Sequence, residues 1–205
     1  MLFSSVFAQG AGEEKTMTER VVKKIKTLDF AFENSLVKIA ANRNIPEIKL
    51  AGLSLGPFEE GNEYEVYHWA AQELEKSGIA RFRQEETMDA AKLYKIQWTE
   101  RVQTAGQMST LPEEFYPKYR RYLSELKKEV AKSPEKMREY ERVKQLIQDI
   151  VNSRLKKIIA IASASTRTEQ ILKNLTSEER FLFEQLYRLV NDWRTQILEY
   201  ERVEE

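Results

Sequence analysis

The pattern of hydrophobic and polar positions divides the chain into two parts. Between Asn42 and Phe82, short alternating apolar runs are separated by glycine, proline and acidic residues, which is typical of short strands joined by turns. Gly56 and Pro57 require a turn, because proline fixes its own φ and disfavours the α conformation for the residue before it. Beyond residue 88, apolar residues recur at the spacing of one helix face. We therefore predict a β-rich region followed by helices.

The β-rich region is predicted to contain several short strands and one helix. Residues 36–39 form the first predicted strand, further strand-like runs lie within 45–55, and residues 79–82 form a closing strand. Residues 67–76 have the spacing of a short amphipathic helix, which Gly78 ends. The inward face of this helix is predicted to carry Trp69, Ala70 and Leu74.

The chain before the first strand has a different character. Residues 1–8 are apolar but lack the basic residues that open a secretory signal, and the run is short for a signal core. Residues 9–14 have the composition of a flexible connector. Residues 1–16 are therefore interpreted as an extension or an error in the assigned start, with a secreted protein as the lesser alternative. A helical turn or two is predicted next, and Phe30 and Phe32 are predicted to anchor the core.

Four helices are predicted after the β-rich region, and residue patterns mark their ends. The first covers residues 88–103. The second follows residues 110–113 and the fourth follows residues 176–179, and both segments have the pattern of a capping box. The third covers residues 133–162, with serine as its N-cap and proline at its first position. These signals predict helix starts more sharply than periodicity alone.

Each predicted helix carries an apolar stripe. The first stripe is predicted to contain Ala91, Tyr94, Trp98 and Val102. The second contains Phe115, Tyr119, Tyr122, Leu126 and Val130. The third contains Tyr140, Val143, Ile147, Ile150, Ile158 and Ile161, and the fourth contains Leu182, Leu186, Leu189, Trp193, Ile197 and Tyr200.

The third and fourth helices also carry apolar residues beside their stripes. These are Leu146, Val151, Leu155 and Ile159 on the third helix, and Phe183, Tyr187 and Val190 on the fourth. Because two faces of each helix are apolar, we expect a partner subunit to cover part of this surface. The alternative is that the small β-rich region covers it.

A composition shift near Gln84 separates two domains in this chain of 205 residues. We predict an N-terminal extension over residues 1–28, a small β-rich domain over 29–83 and a helical domain over 84–205. Short connections between long helices favour an antiparallel bundle. The predicted fold class is therefore α+β, mainly α, with a small N-terminal β-rich domain followed by a C-terminal antiparallel helical bundle.

Few residues have the chemistry that catalysis requires. The chain has no cysteine and a single histidine, His68, and one isolated histidine is usually structural or on the surface. Adjacent acids such as Glu178 and Glu179 point about 100° apart on a helix, and most such pairs fall where they would cap or solvate it. Phosphate-loop, dinucleotide, zinc-protease and nucleophile-elbow motifs are all missing from the sequence. The sequence therefore predicts no enzymatic activity, no cofactor and no metal site.

Basic and acidic residues balance over the whole chain. Lys plus Arg and Asp plus Glu each total 33, so no overall field attracts nucleic acid or an acidic membrane. Local basic clusters are interleaved with glutamate, which is typical of solvated helix faces. The clusters are Lys23–Lys26, Arg120-Arg121, Lys127-Lys128 and Arg154–Lys157. The alternative function is a helical nucleic-acid-binding protein that contacts phosphates through these patches.

Five ordered segments resemble the subunits of the GINS complex. Two lie in the β-rich region, residues 48–58 (IKLAGLSLGPF) and 65–71 (EVYHWAA). Three lie in the helical region, residues 111–116 (LPEEFY), 149–158 (DIVNSRLKKI) and 175–179 (LTSEE). The order is most similar to the archaeal subunit with the small β domain first and the helical domain second. The signature of that small domain is carried here by Gly56, Pro57, Phe58, Trp69 and Ala70.

The resemblance implies a non-enzymatic structural subunit of the replicative helicase machinery, in the cytoplasm and on chromosomal DNA at replication forks. Such a subunit is expected to form a hetero-tetramer with a GINS subunit of opposite domain order, with two copies of each. The assembly is expected to bridge the MCM helicase to a RecJ-like protein and to help couple unwinding to primase and DNA polymerase. Contact with DNA is expected to be weak or indirect, and no membrane contact is expected.

In such an assembly, the surplus apolar residues of the helices would pack in the core or against the other subunit. The candidates for core or intersubunit packing are Tyr119, Tyr122, Ile158, Ile161, Leu189 and Trp193.

Overall fold

A computed structural model describes residues 3–103, 107–164 and 169–198, and the chain divides into two units between Thr87 and Met88. The first unit contains a long helix, two small sheets and a short helix, and the second contains helices. The predicted fold class is confirmed: the chain is α+β, mainly α, with a small N-terminal sheet region and a C-terminal helical bundle.

The main sheet of the first unit is built around its first strand. Strand β1 (Leu36–Ala41) pairs antiparallel with β4 (Glu63–Tyr67) on one side and with β5 (Ala80–Phe82) on the other. Ile39 is fully buried opposite residues of both neighbours. From Leu36 to Ile39, exposed and buried side chains alternate, because successive side chains of a strand point to opposite faces.

A second, two-stranded sheet is a tight hairpin. Strand β2 (Ile48–Leu50) pairs antiparallel with β3 (Leu53–Leu55). The connection is Ala51-Gly52, and both residues have positive φ, +49° and +82°. Positive φ at both central positions is the geometry whose twist matches that of paired strands. The strand-like runs predicted within residues 45–55 are therefore confirmed, and Gly52 provides the conformation that the turn needs.

Helix α2 (His68–Lys76) closes the small core. Ala70, Ala71 and Leu74 are at most 1% exposed, and Trp69 packs partly buried against the same cluster. The amide N–H of Gly78 donates to the carbonyl of Glu75, and the next amide donates to the carbonyl of Leu74. With φ of +67°, Gly78 supplies the left-handed residue of this helix-ending motif. The predicted helix and its end are confirmed.

The first unit differs from expectation at three places. Helix α1 (Phe3–Glu33) runs through residues 9–14, which the sequence predicted as a connector. Phe32 is buried, as predicted, but Phe30 is 71% exposed, because residues two apart on a helix point to different faces. Strand β4 (Glu63–Tyr67) was not predicted, although its alternating EYEVY pattern is that of a strand with one polar face.

The second unit is arranged around one long central helix. Its helices are α3 (Ala90–Val102), α4 (Phe115–Glu129), α5 (Pro134–Ser163), α6 (Glu169–Leu172) and α7 (Ser177–Leu198). Helix α5 contacts α3, α4 and α7. Helix α6 was not predicted. No helix in the described part of the chain combines the length and apolar character of a bilayer span.

Two of the three predicted helix caps are confirmed. Ser133 accepts a hydrogen bond from the amide of Lys136 at the start of α5. Thr176 and Glu179 bond each other's amides at the start of α7, as a capping box requires. The predicted cap at residues 110–113 is wrong: α4 begins at Phe115, and the Thr110 hydroxyl donates to Asn174 instead.

The predicted stripe of α3 is also wrong. Leu93 and Glu100 are buried and Ile96 is partly buried, whereas Tyr94, Trp98 and Val102 are 46%, 67% and 63% exposed. Helix α3 has apolar residues on two faces, and the face with Leu93 packs against α5 and the core. The stripes predicted for α4 and α5 do line the core, through Phe115, Leu126, Val143, Ile147, Ile150 and Ile158.

We predict that Phe32→Ala destabilises the first unit by about 3–5 kcal/mol, the usual cost of truncating a buried phenylalanine. The Phe32 ring packs 4.1 Å from the buried ring of His68, centroid to centroid. Phe30→Ala is the matched control and should change little, because that ring is mostly in solvent. Amide hydrogen exchange of β1 in the full chain measures the effect. Equal losses from both substitutions would contradict this assignment of the core.

Candidate protein–protein interface

A buried ionic network holds the helices of the second unit in place. At its centre is Arg154 of α5, whose side chain is fully buried. Its Nε and Nη2 atoms donate to the two carboxylate oxygens of Glu179 at 2.8 and 2.6 Å. Its Nη1 atom donates to Glu100 Oε1 at 2.9 Å. This bidentate contact and the second carboxylate join α5 to α7 and α3.

Arg154 also holds the segments between helices. Nη1 donates to the carbonyl of Ser109 at 2.7 Å, and Nη2 donates to the carbonyl of Asn174 at 3.1 Å. With the three bonds to carboxylates, these two contacts use all five N–H groups of the guanidinium. A buried charge is tolerated only when it is paired and its hydrogen bonds are made, and Arg154 meets both conditions.

A second cation balances the network. Lys157 Nζ donates to Glu100 Oε2 at 2.7 Å and to the Glu100 carbonyl at 3.1 Å, and the Ser109 hydroxyl donates to Glu100 Oε1. Two cations and two carboxylates therefore face each other. Their opposite charges offset part of the desolvation cost of burying all four groups.

Glu179 serves two purposes in this network. Its carboxylate accepts the amide of Thr176 at 3.0 Å at the start of α7, and it accepts the Tyr116 hydroxyl of α4 at 2.9 Å. These bonds come in addition to the two from Arg154. A single carboxylate thus caps α7 and joins it to α4 and α5.

The network changes the acidity of its members. Burial alone would raise the pKa of Glu100, but hydrogen bonds from Lys157 and Ser109 and the charge of Arg154 hold that pKa below its ordinary value. Burial opposes the charge of Arg154, yet the bonds and charge of Glu179, followed by Glu100, raise the Arg154 pKa. Burial and the adjacent Glu179 carboxylate raise the pKa of Tyr116. Glu100 and Arg154 therefore keep their charges at neutral pH, and Tyr116 stays a neutral donor.

The network also separates two apolar clusters of the helical core. Ile150, one turn before Arg154, belongs to a cluster that contains Phe115 and Val143. Ile158, one turn after Arg154, belongs to a second cluster that contains Phe183. Because polar groups occupy the layer between them, α3 and α7 must each present a carboxylate to Arg154, and α4 must present Tyr116 to Glu179. This constraint decides which helix faces remain outside.

The outer surface of α7 carries large apolar side chains that are exposed. Leu182 and Leu186 are partly buried against the second cluster. Leu189, Trp193 and Ile197 continue the same stripe but are 64%, 64% and 58% exposed. We call these three residues the α7 stripe. A stripe that begins in a core and continues into solvent is typical of a surface that a partner covers.

Two further exposed apolar surfaces lie on other helices. Leu155 and Ile159 of α5 are 38% and 46% exposed, so only part of the second predicted face of α5 is covered. Tyr94, Trp98 and Val102 of α3 form an exposed row. Exposed tryptophan and tyrosine are enriched among residues that dominate protein–protein binding energy.

Some of the predicted packing residues are buried or half-buried in the helical core, and others are exposed. Ile158 is buried, and Ile161 is partly buried beside it. Tyr119 and Tyr122 are half-buried against the first cluster, and the Tyr122 hydroxyl lies 3.4 Å from Glu139. Burial of the ring, and then the Glu139 carboxylate, raise the pKa of Tyr122. Leu189 and Trp193 are exposed. Tyr200, the last residue of the predicted stripe, lies outside the described residues.

The signature residues of the small region are structural. Phe58 is 2% exposed and packs edge-to-face on Tyr64. Gly56 has φ of +95°, and a Cβ there would come within 3.1 Å of Phe58, so glycine is required before Pro57. Ala70 is fully buried, whereas Trp69 is partly buried and stacks on Tyr67.

His68 is buried. It lies between the rings of Phe32 and Phe82, and its Nδ1 atom is 3.3 Å from Glu33 Oε2. Within the residues that the structure describes, no group of three or more His, Cys, Asp or Glu side chains could hold a metal ion. His68 is a core residue that joins α1 to α2.

One predicted basic patch does not exist as a surface. Arg154 and Lys157 are buried in ion pairs, whereas the sequence favoured a solvated face. A signal was present, because Arg154 falls on the spacing of Ile147, Ile150 and Ile158 along the buried side of α5. A charged residue inside an apolar stripe indicates a buried ion pair whose partners the sequence does not identify.

Both units are similar to known domains. Residues 87–198 match the family described as the GINS complex protein helical bundle domain. Residues 24–82 match the family described as the PSF2 N-terminal domain. The human DNA replication complex GINS protein PSF2 is 30% identical over 156 residues, which cover 74% of this chain and 80% of the human protein.

We predict that Arg154→Met destabilises the helical unit by about 3–5 kcal/mol, because Glu100 and Glu179 would lose the cation between them. Arg142→Met is the matched control, since Arg142 is exposed on the same helix and should change little. Urea unfolding followed by far-ultraviolet circular dichroism measures both. A loss below about 1 kcal/mol in Arg154→Met would contradict the role assigned to the network.

We further predict that the helical unit loses stability as the pH falls below 4.5, the ordinary pKa of Glu100. The folded-state pKa is lower, so the unfolded chain takes up the proton first and unfolding becomes easier as the pH falls toward the folded-state value. Glu100→Gln should flatten this slope while lowering stability at neutral pH. Glu113→Gln, at an exposed position, should keep the slope of the unsubstituted chain. An unchanged slope in Glu100→Gln would refute the prediction.

Proposed function

The chain belongs to the GINS family of DNA replication complex proteins, and from this we propose that it joins the MCM helicase to a RecJ-like protein at replication forks. Membership makes the chain a non-catalytic structural subunit of a hetero-oligomeric complex, as the sequence predicted. The proposal concerns the specific partners, and primase and DNA polymerase belong to the same expected assembly.

The single observation that best supports a scaffold role is the α7 stripe. Leu189, Trp193 and Ile197 would each remain largely in water in an isolated chain. Covering such side chains contributes about 25 cal/mol per Å² of apolar surface removed from water. We propose that the partner on this stripe is a GINS subunit of opposite domain order, in a tetramer with two copies of each.

The two structural units have separate roles in this proposal. The helical domain, residues 84–205, provides the contact with the other subunit. The small domain, residues 29–83, has a closed core around Phe58 and Leu74 and serves as an adaptor for other replication proteins. Residues 1–28 are an extension to the small domain. The proposed location is chromosomal DNA at replication forks.

The alternative function, nucleic-acid binding through basic patches, is less well supported. Arg154 and Lys157 are occupied by carboxylates inside the helical unit. Arg120 lies 3.7 Å from Glu178 and Arg121 lies 2.9 Å from Glu125. Because acidic partners lie next to these cations, the patches at Arg120-Arg121 and Arg154–Lys157 offer little net charge to a phosphate backbone.

We predict that Leu189→Asp combined with Trp193→Asp abolishes assembly with the opposite-order GINS subunit from the same organism. A buried carboxylate without a cation is strongly unfavourable at an apolar interface. Co-expression followed by size-exclusion chromatography with light scattering measures the assembly. Arg188→Asp is the matched control, because Arg188 is exposed on another face of α7.

Three results bear on the proposal. Loss of the complex in the double variant, with circular dichroism unchanged and the control intact, supports it. Assembly that survives in the double variant contradicts the place of the α7 stripe in the interface. A normal GINS assembly that captures neither MCM nor the RecJ-like protein contradicts the proposed bridging role.

A further inference from the structure

Helix α3 presents a second exposed apolar surface, which has a different chemical character from the α7 stripe. Tyr94, Trp98 and Val102 are 46%, 67% and 63% exposed, and Lys95 and Arg101 are exposed beside them. We call these five residues the α3 surface. Leu93 and Glu100 hold the opposite face of the helix in the core, so the orientation of the α3 surface is fixed.

The α3 surface is positively charged in a chain with no net charge. Glu100 is the only acidic residue within Ala90–Val102, and it is 2% exposed and paired with Arg154 and Lys157. Among the described residues, neither Lys95 nor Arg101 takes part in an ion pair. The ionic network therefore removes the only negative charge of α3 from the surface and leaves cations beside the aromatic rings.

A groove of about 450 Å³ adjoins this surface. It lies between α3 and the segment 109–112, and its lining includes Ile96, Leu111 and Pro112 together with Lys92 and Lys95. The segment is held in place by the bond of Arg154 to the Ser109 carbonyl and by the bond of Thr110 to Asn174. A groove that is already formed costs less to occupy than one that must be ordered on binding.

The composition of this site favours one kind of ligand. Its apolar lining can take an aliphatic or aromatic side chain, and Tyr94 and Trp98 can cover a second. The cations at its edge are complementary to carboxylates. A second copy of this chain would place like charges opposite each other. Single-stranded nucleic acid needs a continuous basic track along its backbone, whereas here the cations flank apolar side chains.

We propose that the α3 surface and its groove bind an acidic peptide segment with aliphatic or aromatic anchor residues, supplied by a protein other than the GINS subunit on the α7 stripe. One anchor enters the groove beside Leu111, another packs on Trp98, and carboxylates approach Lys95 and Arg101. This site does not depend on the assignment of the α7 stripe, since the two surfaces lie on different helices.

The test uses the full chain and two synthetic peptides of about sixteen residues. In the first peptide, Leu or Phe recurs at every third or fourth position and all other positions are Asp or Glu. In the second, Gln replaces every acid. Fluorescence anisotropy at about 0.15 M salt should show binding of the first peptide, at least about tenfold tighter than the second.

Two surface variants separate the parts of the site. Trp98→Ala and the pair Lys95→Glu with Arg101→Glu should each weaken binding of the acidic peptide at least about tenfold. Both change exposed side chains, so circular dichroism should be unaltered. Arg142→Glu with Lys144→Glu is the matched charge control on the exposed side of α5, and it should leave binding within about twofold.

Several results would overturn the proposal. Equal affinity for the acidic and the glutamine peptide would show that the α3 surface does not recognise the charge of its ligand. Binding of a thymidine oligonucleotide that is tighter than peptide binding and is lost in the same variants would assign the surface to nucleic acid. Loss of GINS subunit assembly in the α3 variants would assign it to the subunit interface. By contrast, if the α7 variants bind the acidic peptide and also assemble normally with the GINS subunit, the assignment of the α7 stripe fails and the α3 proposal is supported.

Discussion

The helical unit depends on the burial of four charges around Arg154. A guanidinium that uses all five of its N–H groups can occupy only one position, and each partner must arrive from a different element. Hydrophobic contacts alone would tolerate a helix rotated or shifted by a fraction of a turn. A buried charge does not tolerate such a shift. Leaving a buried group without its hydrogen bond costs more free energy than forming that bond contributes. We infer that specificity, more than net stability, is what the network provides.

The same constraint explains why apolar side chains remain outside. Helix α3 has two candidate inner faces, one with Leu93 and one with Trp98. The position of Glu100 on the face with Leu93 decides between them, because Glu100 must reach Arg154 and Lys157. Trp98 is consequently placed in solvent. The aromatic face of α3 and the α7 stripe can then be used for binding without loss of the internal fold.

Much of this fold follows from local sequence, and the exceptions have tertiary causes. Ser133 and Thr176 cap helices as predicted, because their hydroxyls meet only local amides. Thr110 has the same pattern, yet its hydroxyl bonds Asn174, 64 residues away along the chain. The burial of Arg154 likewise depends on carboxylates that are distant in sequence. Leu189 and Trp193 were predicted as packing residues, but periodicity alone cannot divide a stripe between core and partner.

The double role of Glu179 has a mechanical consequence for the far end of its helix. Trp193 lies fourteen residues beyond Glu179, which is about 21 Å at 1.5 Å per residue. A tilt of about 10° at the first turn would therefore move the indole by about 4 Å, more than half of a helix radius. By tying the first turn of α7 to α4 and α5, the carboxylate sets the direction in which the whole helix points. The accuracy of a distant contact is thus determined where the helix begins.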